Sequence, residues 1–155
     1  MIKKKKTKKK PLKSLIKKAD EIASRIVRKR DGRCLYCGKV ASKKEPLQAH
    51  HYIITKGRST KHRWDLRNLV SLCYYCHMFL MHSTQTCLKH TDTIKKAAIM
   101  NHIVTEQEIE EIKHDTEIIP SVRSFVETKI EELKQIEETQ NDKQNTNGIE
   151  TSART

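Results

Sequence analysis

Four cysteines in two matched pairs constrain this chain more than any other feature. The pairs are Cys34-x2-Cys37 and Cys73-x2-Cys76, with thirty-five residues between them. Each C-x2-C loop directs two sulfurs towards one ion, and four thiolates complete a tetrahedral shell. We therefore predict a structural Zn²⁺ site on these four residues. Cys87 makes the total odd, which disfavours a disulfide framework and favours a reducing, cytoplasmic compartment.

The composition predicts one small domain that binds a polyanion. Of 155 residues, 35% are apolar and only seven are aromatic, so a metal ion would offset a shortage of core. The net charge is +13, with +12 in residues 1–33 and −6 in residues 91–155. A basic front half beside cysteine and histidine chemistry predicts nucleic acid, most simply DNA, as the partner. No apolar run approaches membrane-spanning length, so no membrane partner is expected.

Apolar periodicity predicts a helix, two short strands and a second helix around the cysteines. Residues 14–30 repeat apolar side chains at helical spacing, and Ser14 can cap the first turn. Residues 47–54 and 69–72 each suit a strand, and a helix follows over residues 74–83. The order predicts a ββα unit with its metal chemistry in the crease between strands and helix.

Histidines surround the cysteine pairs. His50 and His51 are adjacent on the first strand, and His77 follows the last cysteine. Neighbours on a strand point to opposite faces, so one of the pair should hold a cation while the other acts as a general base. His77 is then a second metal ligand, and Asn68 would hold the histidine-bearing loop by hydrogen bonds. The alternative is a structural histidine pair.

The order Cys34-x2-Cys37, His50-His51, Asn68, Cys73-x2-Cys76-His77 resembles the HNH endonuclease family, in its zinc-knuckle subgroup. This resemblance covers roughly residues 15–85. It implies an α+β fold, a small ββα-metal core with the four-cysteine zinc site, flanked by an N-terminal helix and C-terminal helices. It also implies that His51 is the general base, that Asn68 orients the loop, and that His50 and His77 bind Mg²⁺ or another divalent cation.

A looser similarity rests on His50-His51-Tyr52, Arg63-Trp64-Asp65, Asn68, Leu72-Cys73-x2-Cys76-His77 and His82, followed by an acidic helical tail. In these features the chain resembles phage HNH nucleases of the NinG recombination group. This similarity implies a role in phage DNA recombination or processing, in the cytoplasm of a host cell. His82 departs from the patterns of the wider family, because nuclease colicins place a third ligand histidine one turn after the last motif histidine. Here that position is Met81. On an ideal α-helix the five-residue offset rotates His82 away from His77, so we expect a surface or phosphate-contacting histidine, with metal ligation as the alternative.

A basic loop, residues 55–67, separates the two predicted strands. Its cations would lie beside a scissile phosphate, where guanidinium groups bind oxygens in pairs. Arg63 and Arg67 are the leading candidates by position, and Trp64 is predicted to be a packing anchor. The full set predicted to bind DNA is Lys56, Arg58, Lys61, Arg63 and Arg67.

Four segments are predicted along the chain. They are a disordered basic tail (1–13), a nuclease domain (14–90), a helical extension (91–139) and a disordered tail (140–155). In the extension, Thr105 and Glu108 form a capping box. An apolar stripe over residues 122–136 would either fold back on the core or dock a second copy or a protein partner.

Two functions fit these patterns. The first is a metal-dependent endonuclease that hydrolyses DNA phosphodiester bonds. The alternative is a non-catalytic, zinc-stabilised DNA-binding module in which the same histidines are structural.

Overall fold

The computed structural model describes residues 10–82, 87–115, 117 and 119–152, with backbone only for Cys87 and residues 143–152. Residues 1–9 of the predicted basic tail and the Cys87 side chain therefore lie outside the described part. The elements in chain order are α1 (Leu12–Asp31), β1 (Gln48–His51), two 3₁₀ turns (Lys61–Arg63 and Leu66–Asn68), β2 (Leu69–Leu72), a π-helical turn (Cys76–Met81), α2 (Cys87–Met100), α3 (Glu106–His114) and α4 (Arg123–Ser152). Among the described helices, none has the length and apolar character to cross a membrane.

The two strands form an antiparallel ribbon, so the predicted α+β fold with a small two-stranded sheet is confirmed. His50 pairs with Val70, and His51 pairs with Leu69. Paired residues share a face of the ribbon, and neighbours in sequence point to opposite faces. Val70 packs in the core around the cysteines, whereas Leu69 packs in the core beneath α1. The ribbon therefore directs the two adjacent histidines to different sides.

Helix α1 starts differently from the prediction, but it ends at Asp31 and Gly32 as the sequence predicts. Pro11 precedes the first turn in an extended conformation, and no side chain caps it, so Ser14 does not serve as the cap. Gly32 ends the helix with φ 62°, and its N–H donates to the carbonyl of Arg28. One face is buried throughout: Leu15, Ala19, Ile22, Ala23, Ile26 and Val27.

Helix α4 packs against α1. Val126, Ile130 and Leu133 are buried in the same core as the apolar face of α1, and Arg25 forms a bidentate ion pair with Glu137 at 2.7 and 3.0 Å. The middle of the stripe thus folds back on the core, while Val122 and Ile136 at its ends are exposed. This burial gives no support to docking of a second copy. Helix α4 also continues to Ser152, whereas the sequence predicts a disordered tail from residue 140. Residues 153–155 of that predicted tail lie outside the described part.

A second core joins the cysteine region to α2 and α3. Thr105 and Glu108 form the predicted capping box at the start of α3. Side chains from both helices pack with the ribbon and the cysteines: Cys34, Leu47, Tyr52, Val70, Leu72, Cys73, Cys76, Met81, Ile94, Ala98, Val104 and Ile109.

Candidate active site

The four motif cysteines converge. Their sulfur atoms all lie within 4.8 Å of one another, and the Sγ atoms of Cys37 and Cys73 are 3.8 Å apart. A tetrahedron with metal–sulfur bonds of about 2.3 Å has edges of about 3.8 Å, whereas a disulfide needs about 2.0 Å. The donor set therefore fits a structural zinc ion, as the spacing predicts.

Local hydrogen bonds shape both sides of the sulfur cluster. Each C-x2-C loop forms one zinc knuckle. In the first knuckle, Cys34–Cys37, the N–H of Gly38 donates to the carbonyl of Cys34 at 2.9 Å, and the N–H of Cys34 donates to the carbonyl of Lys39 at 2.8 Å. Gly38 has φ 77°, a conformation that glycine adopts without strain. On the other side, the N–H of His77 donates to the carbonyl of Cys73 at 2.9 Å.

A second cluster contains only histidines. The ring nitrogens of His50, His77 and His82 that could serve as ligands lie within 4.8 Å of one another. The ring centroid of His77 is 5.0 Å from those of both His50 and His82, and the centroids of His50 and His82 are 6.0 Å apart. Three imidazoles around one point can hold a single divalent ion and leave positions open.

The expectation that His82 points away from His77 is wrong. Residues Cys76–Met81 form a π-helical turn instead of an α-helical one. A π-helix hydrogen-bonds from residue i to i+5, so a residue five positions on lies one turn above its partner. Met81, which the ideal α-helix would bring to the cluster, is buried in the core. Nothing in the sequence marks this widened turn, apart from the five-residue spacing itself.

Gln48 fixes the orientation of His77. The Nδ1 atom of His77 donates to Oε1 of Gln48 at 2.6 Å, which leaves Nε2 with its lone pair. Burial, and then the neighbouring imidazoles, lowers the pKa of His50 to about 3. Burial, followed by the proximity of His82, also lowers the pKa of His77. Both rings are therefore neutral, which is the state that binds a metal.

His51 lies on the other face of β1, apart from the three-histidine cluster. Its Nε2 atom donates to the backbone carbonyl of Arg63 at 2.8 Å. Because a carbonyl can only accept, this bond places the hydrogen on Nε2 and leaves a lone pair on Nδ1. Burial lowers the pKa of His51, although its hydrogen bond with the Arg63 carbonyl opposes this. The ring is thus neutral and can accept a proton at neutral pH.

Asn68 joins the two ends of the segment that follows His51. Its buried side chain accepts from the N–H groups of Ile53 and Ile54, each at 3.0 Å. Its amide nitrogen donates to the carbonyls of Ile54 and His62 at 2.9 and 3.1 Å. These four bonds use the full capacity of the amide, in keeping with the loop-holding role that the sequence predicts.

One cleft of about 710 Å³ brings His51 and the three-histidine cluster together. Side chains of α1 form its opposite wall, including Asp20, Glu21 and Arg28. The sequence predicts Arg28 on the charged face of this helix, with a phosphate contact as an addition to its structural role. It did not single out Asp20 or Glu21, because a helix far from the motifs gives no sign that it faces them. The Nε atom of Arg28 donates to the carbonyl of Ser24, and no described carboxylate pairs with Arg28.

Four of the five loop residues predicted to bind DNA pair with carboxylates of this chain. Lys56 and Arg63 both contact Asp20, and Lys61 contacts Asp115 at 2.8 Å. Arg67 pairs with Asp65 at 2.8 Å and with Glu108 at 3.0 Å. Within the described residues, exposed Arg58 alone of the five has no carboxylate partner. A phosphate would have to compete with an internal partner at the other four positions.

Two further side chains of this loop are buried. Trp64 is 4% exposed and donates its indole N–H to Asp20 at 2.8 Å, which makes it the packing anchor that the sequence predicts. His62, to which the sequence assigns no role, contacts Asp65 and Asp115 at 3.3 and 2.9 Å. Its imidazole connects the loop with the segment after α3.

Residues 34–78 match the family model described as HNH endonuclease. The chain therefore contains an HNH domain, a class that indicates nuclease or DNA-binding function, and HNH nucleases act on DNA. No curated protein and no solved structure gives a significant match. Phage origin and recombination find no support here, and the looser resemblance stays a prediction. The match includes every motif residue from Cys34 to His77 but excludes Asp20 and His82.

Proposed function

We propose that this protein is a metal-dependent endonuclease that hydrolyses DNA phosphodiester bonds. The observation that supports this most directly is one cleft lined both by a neutral imidazole with a free Nδ1 and by three further imidazoles in a metal-binding arrangement. Phosphodiester hydrolysis needs a proton acceptor for water and positive charge near the phosphate. A purely structural role for these histidines would not require His51 and the three-histidine cluster to line the same cleft.

His51 acts as the general base in this proposal. Its Nδ1 takes a proton from a water molecule while the water oxygen bonds to phosphorus. The bond between phosphorus and the 3′ oxygen breaks, and that oxygen takes a proton from solvent. The Arg63 carbonyl holds the ring in the required tautomer, and Asn68 keeps the adjoining segment in place.

His50, His77 and His82 would hold the catalytic cation. When bound, a divalent ion supplies Lewis-acid stabilisation of the charge on the scissile phosphate and the leaving oxygen. The three-histidine cluster offers one imidazole nitrogen from each ring as a ligand, and it includes no carboxylate. Mg²⁺ prefers oxygen ligands, whereas imidazole suits zinc, nickel and similar first-row ions. We therefore favour a transition metal over the Mg²⁺ named first from the sequence.

Phosphate contacts in this proposal come from two sources. Arg28 lines the cleft without a carboxylate partner, and Arg58 is exposed on the basic loop. Lys56, Lys61, Arg63 and Arg67 would contribute wherever DNA displaces their internal partners. The cationic side chains of Lys56, Lys61 and Arg67 are 35–49% exposed, whereas Arg63 is 22% exposed. Exchange is therefore easier at Lys56, Lys61 and Arg67 than at Arg63, because ion pairs close to the solvent contribute little.

The biological setting rests on resemblance alone. Action in phage DNA recombination or processing, in the cytoplasm of a host cell, is the proposal that follows from the looser similarity to phage nucleases. The non-catalytic DNA-binding module is the competing proposal, because zinc stabilisation and basic charge serve both functions.

Plasmid nicking tests the proposal. The wild type, His51→Ala and the matched control His114→Ala are compared with Mn²⁺, Ni²⁺, Zn²⁺ and Mg²⁺. His114 is an exposed histidine on α3. Loss of a general base lowers the cleavage rate by about 10²–10⁴-fold, so His51→Ala should be nearly inactive while His114→Ala matches the wild type. Equal cleavage by wild type and His51→Ala would remove the base assignment. DNA binding without cleavage under every metal would favour the binding module.

A further inference from the structure

Asp20 is an acidic residue on the most basic helix of the chain. Residues 1–33 contain fifteen Lys and Arg but only three acids. The Asp20 side chain is 24% exposed, and partial burial of a carboxylate is unfavourable unless cations or N–H donors compensate. Asp20 therefore needs cationic or N–H-donating partners close to its carboxylate.

All of those partners come from the basic loop. Arg63 donates two hydrogen bonds to Asp20, at 2.9 and 2.8 Å. The indole N–H of Trp64 donates at 2.8 Å, and the ammonium of Lys56 lies 2.7 Å from the second carboxylate oxygen. Lys56 is near the start of the loop and Arg63 near its end, so one carboxylate on α1 holds both parts.

The same arginine also contacts His51, through a different group. The Arg63 guanidinium binds Asp20, while the Arg63 carbonyl accepts from Nε2 of His51 at 2.8 Å. The position of that carbonyl decides which His51 nitrogen carries the hydrogen. An anchored guanidinium and an anchored indole on consecutive residues restrict the backbone from which the carbonyl projects.

We propose that Asp20 is a positioning residue for the cleft: by anchoring Lys56, Arg63 and Trp64, it holds the Arg63 carbonyl where it fixes the tautomer of His51. The role for catalysis rests on the proposed function, whereas the role in fixing the tautomer does not. Asp20 touches neither water nor phosphate in this scheme and acts through Arg63.

The charge of Asp20 makes the proposal separable from a simple loss of structure. Asp20 neutralises two cations that line the cleft. Removing its charge frees Lys56 and Arg63 to attract DNA, so the KM for DNA should fall. Looser positioning of His51 should lower kcat, because displacement of a reacting group by about 1 Å can cost roughly 10²-fold. Partial unfolding would instead lower the active fraction without reducing KM.

Asp20→Asn is the variant of choice, because it keeps the shape of the side chain but leaves one acceptor oxygen for four donor groups from three residues. Glu21→Gln is the matched control. Glu21 is the next residue on α1, lines the same cleft and carries the same charge, but its ion pair is with exposed Lys17. Both variants remove one negative charge from one wall of the cleft, and only the first releases the loop.

Two readouts are measured on the full chain with its zinc bound. The ¹H–¹⁵N spectra of the histidine rings report the His51 tautomer, and single-turnover and steady-state cleavage report kcat and KM. We expect Asp20→Asn to lose the uniform Nε2–H tautomer and to lower kcat at least about tenfold, with a lower KM. Glu21→Gln should match the wild type in tautomer and kcat. Asp20→Glu should partly restore both.

If the wild type cleaves DNA and Asp20→Asn has the same His51 tautomer and the same kcat, this inference is overturned and the proposed function stands. Failure of the wild type to cleave would overturn the proposed function, and the ring spectra would still decide the role of Asp20. Should Asp20→Asn not fold, Arg63→Gln breaks the same contact from the loop while keeping the Arg63 carbonyl. Retention of the Nε2–H tautomer in Arg63→Gln would equally contradict the proposal.

Discussion

The sulfur cluster and the histidine cluster take residues from the same short stretch, Cys73 to His82, yet they are held in place differently. Hydrogen bonds that close within six residues shape each C-x2-C loop, as between Cys34 and Gly38, and the N–H of Leu35 donates to the carbonyl of Ser71 at 2.8 Å to join the first loop to β2. Distant residues orient the histidines of the cleft: Gln48 contacts His77 from 29 positions away, and Arg63 fixes His51 from twelve positions away. Each C-x2-C loop is shaped locally and the fold brings the two loops together, whereas even the orientation of each histidine ring depends on distant residues.

The two clusters also differ in whether their side chains fill every coordination position of a bound metal ion. Four sulfurs complete a tetrahedral shell, and three of the four cysteines are buried. Three imidazoles do not complete a shell, and their cluster faces the cleft, with His82 exposed. A closed shell stabilises structure, whereas an open one can admit a substrate oxygen. This comparison predicts that removing one site unfolds the domain and that removing the other abolishes only chemistry.

The largest effect should follow disruption of the sulfur cluster. A structural zinc ion contributes about 10–16 kcal/mol, and a small domain has a total stability of only about 5–15 kcal/mol. We expect Cys73→Ser, or zinc removal by a chelator, to unfold the ββα unit. Circular dichroism melts and the zinc content per chain measure this.

The double variant His50→Ala, His77→Ala is the control for this prediction. It removes two members of the open cluster and should retain one zinc ion per chain and a cooperative melt. A folded Cys73→Ser protein with wild-type Tm would remove the distinction between the sites. Unfolding of the double histidine variant would also remove this distinction, because the histidine cluster would then be needed for folding.

The contrast explains what the sequence could predict. Both knuckles, β2 and the capping box of α3 follow from residues close in sequence, and each was predicted correctly. Opposite faces for His50 and His51 follow from the two-residue period of a strand. The position of His82 did not follow, because backbone hydrogen bonding decides between an α and a π turn. Gln48 and Asp20 were missed because only the packed fold brings them to the cleft.

The histidine cluster gives the second prediction, a smaller effect confined to metal binding. If His82 is a ligand, His82→Ala should weaken binding of Ni²⁺ or Mn²⁺ to the open cluster by at least about tenfold, with zinc content and Tm unchanged. Isothermal titration of the zinc-loaded protein measures the affinity. His114→Ala serves as the control. Wild-type affinity in His82→Ala would return His82 to the surface role expected from an ideal α-helix.

The smallest effect concerns the ionic support of the cleft. Burial alone would raise the pKa of Asp20, but hydrogen bonds from Arg63, Lys56 and Trp64 outweigh it and lower the value from 3.8 to about 2. Because the folded-state pKa is depressed, the stabilisation is present above pH 4 and is lost as the pH falls from about 4 to about 2. This lowering of the Asp20 pKa in the folded state corresponds to about 2 kcal/mol in the free energy of unfolding.

Urea unfolding of wild type and Asp20→Asn measures this contribution as a difference, so zinc release in acid affects both proteins alike. We expect the wild type to be more stable by about 2 kcal/mol from pH 8 to pH 5, with the gap narrowing below pH 4. Glu21→Gln should differ from the wild type by no more than about 0.5 kcal/mol, because its exposed ion pair contributes little. A pH-independent gap for Asp20→Asn would mean that shape, rather than charge, connects α1 with the basic loop. The cleft would then be held in place by neutral contacts, as the sulfur cluster's backbone is.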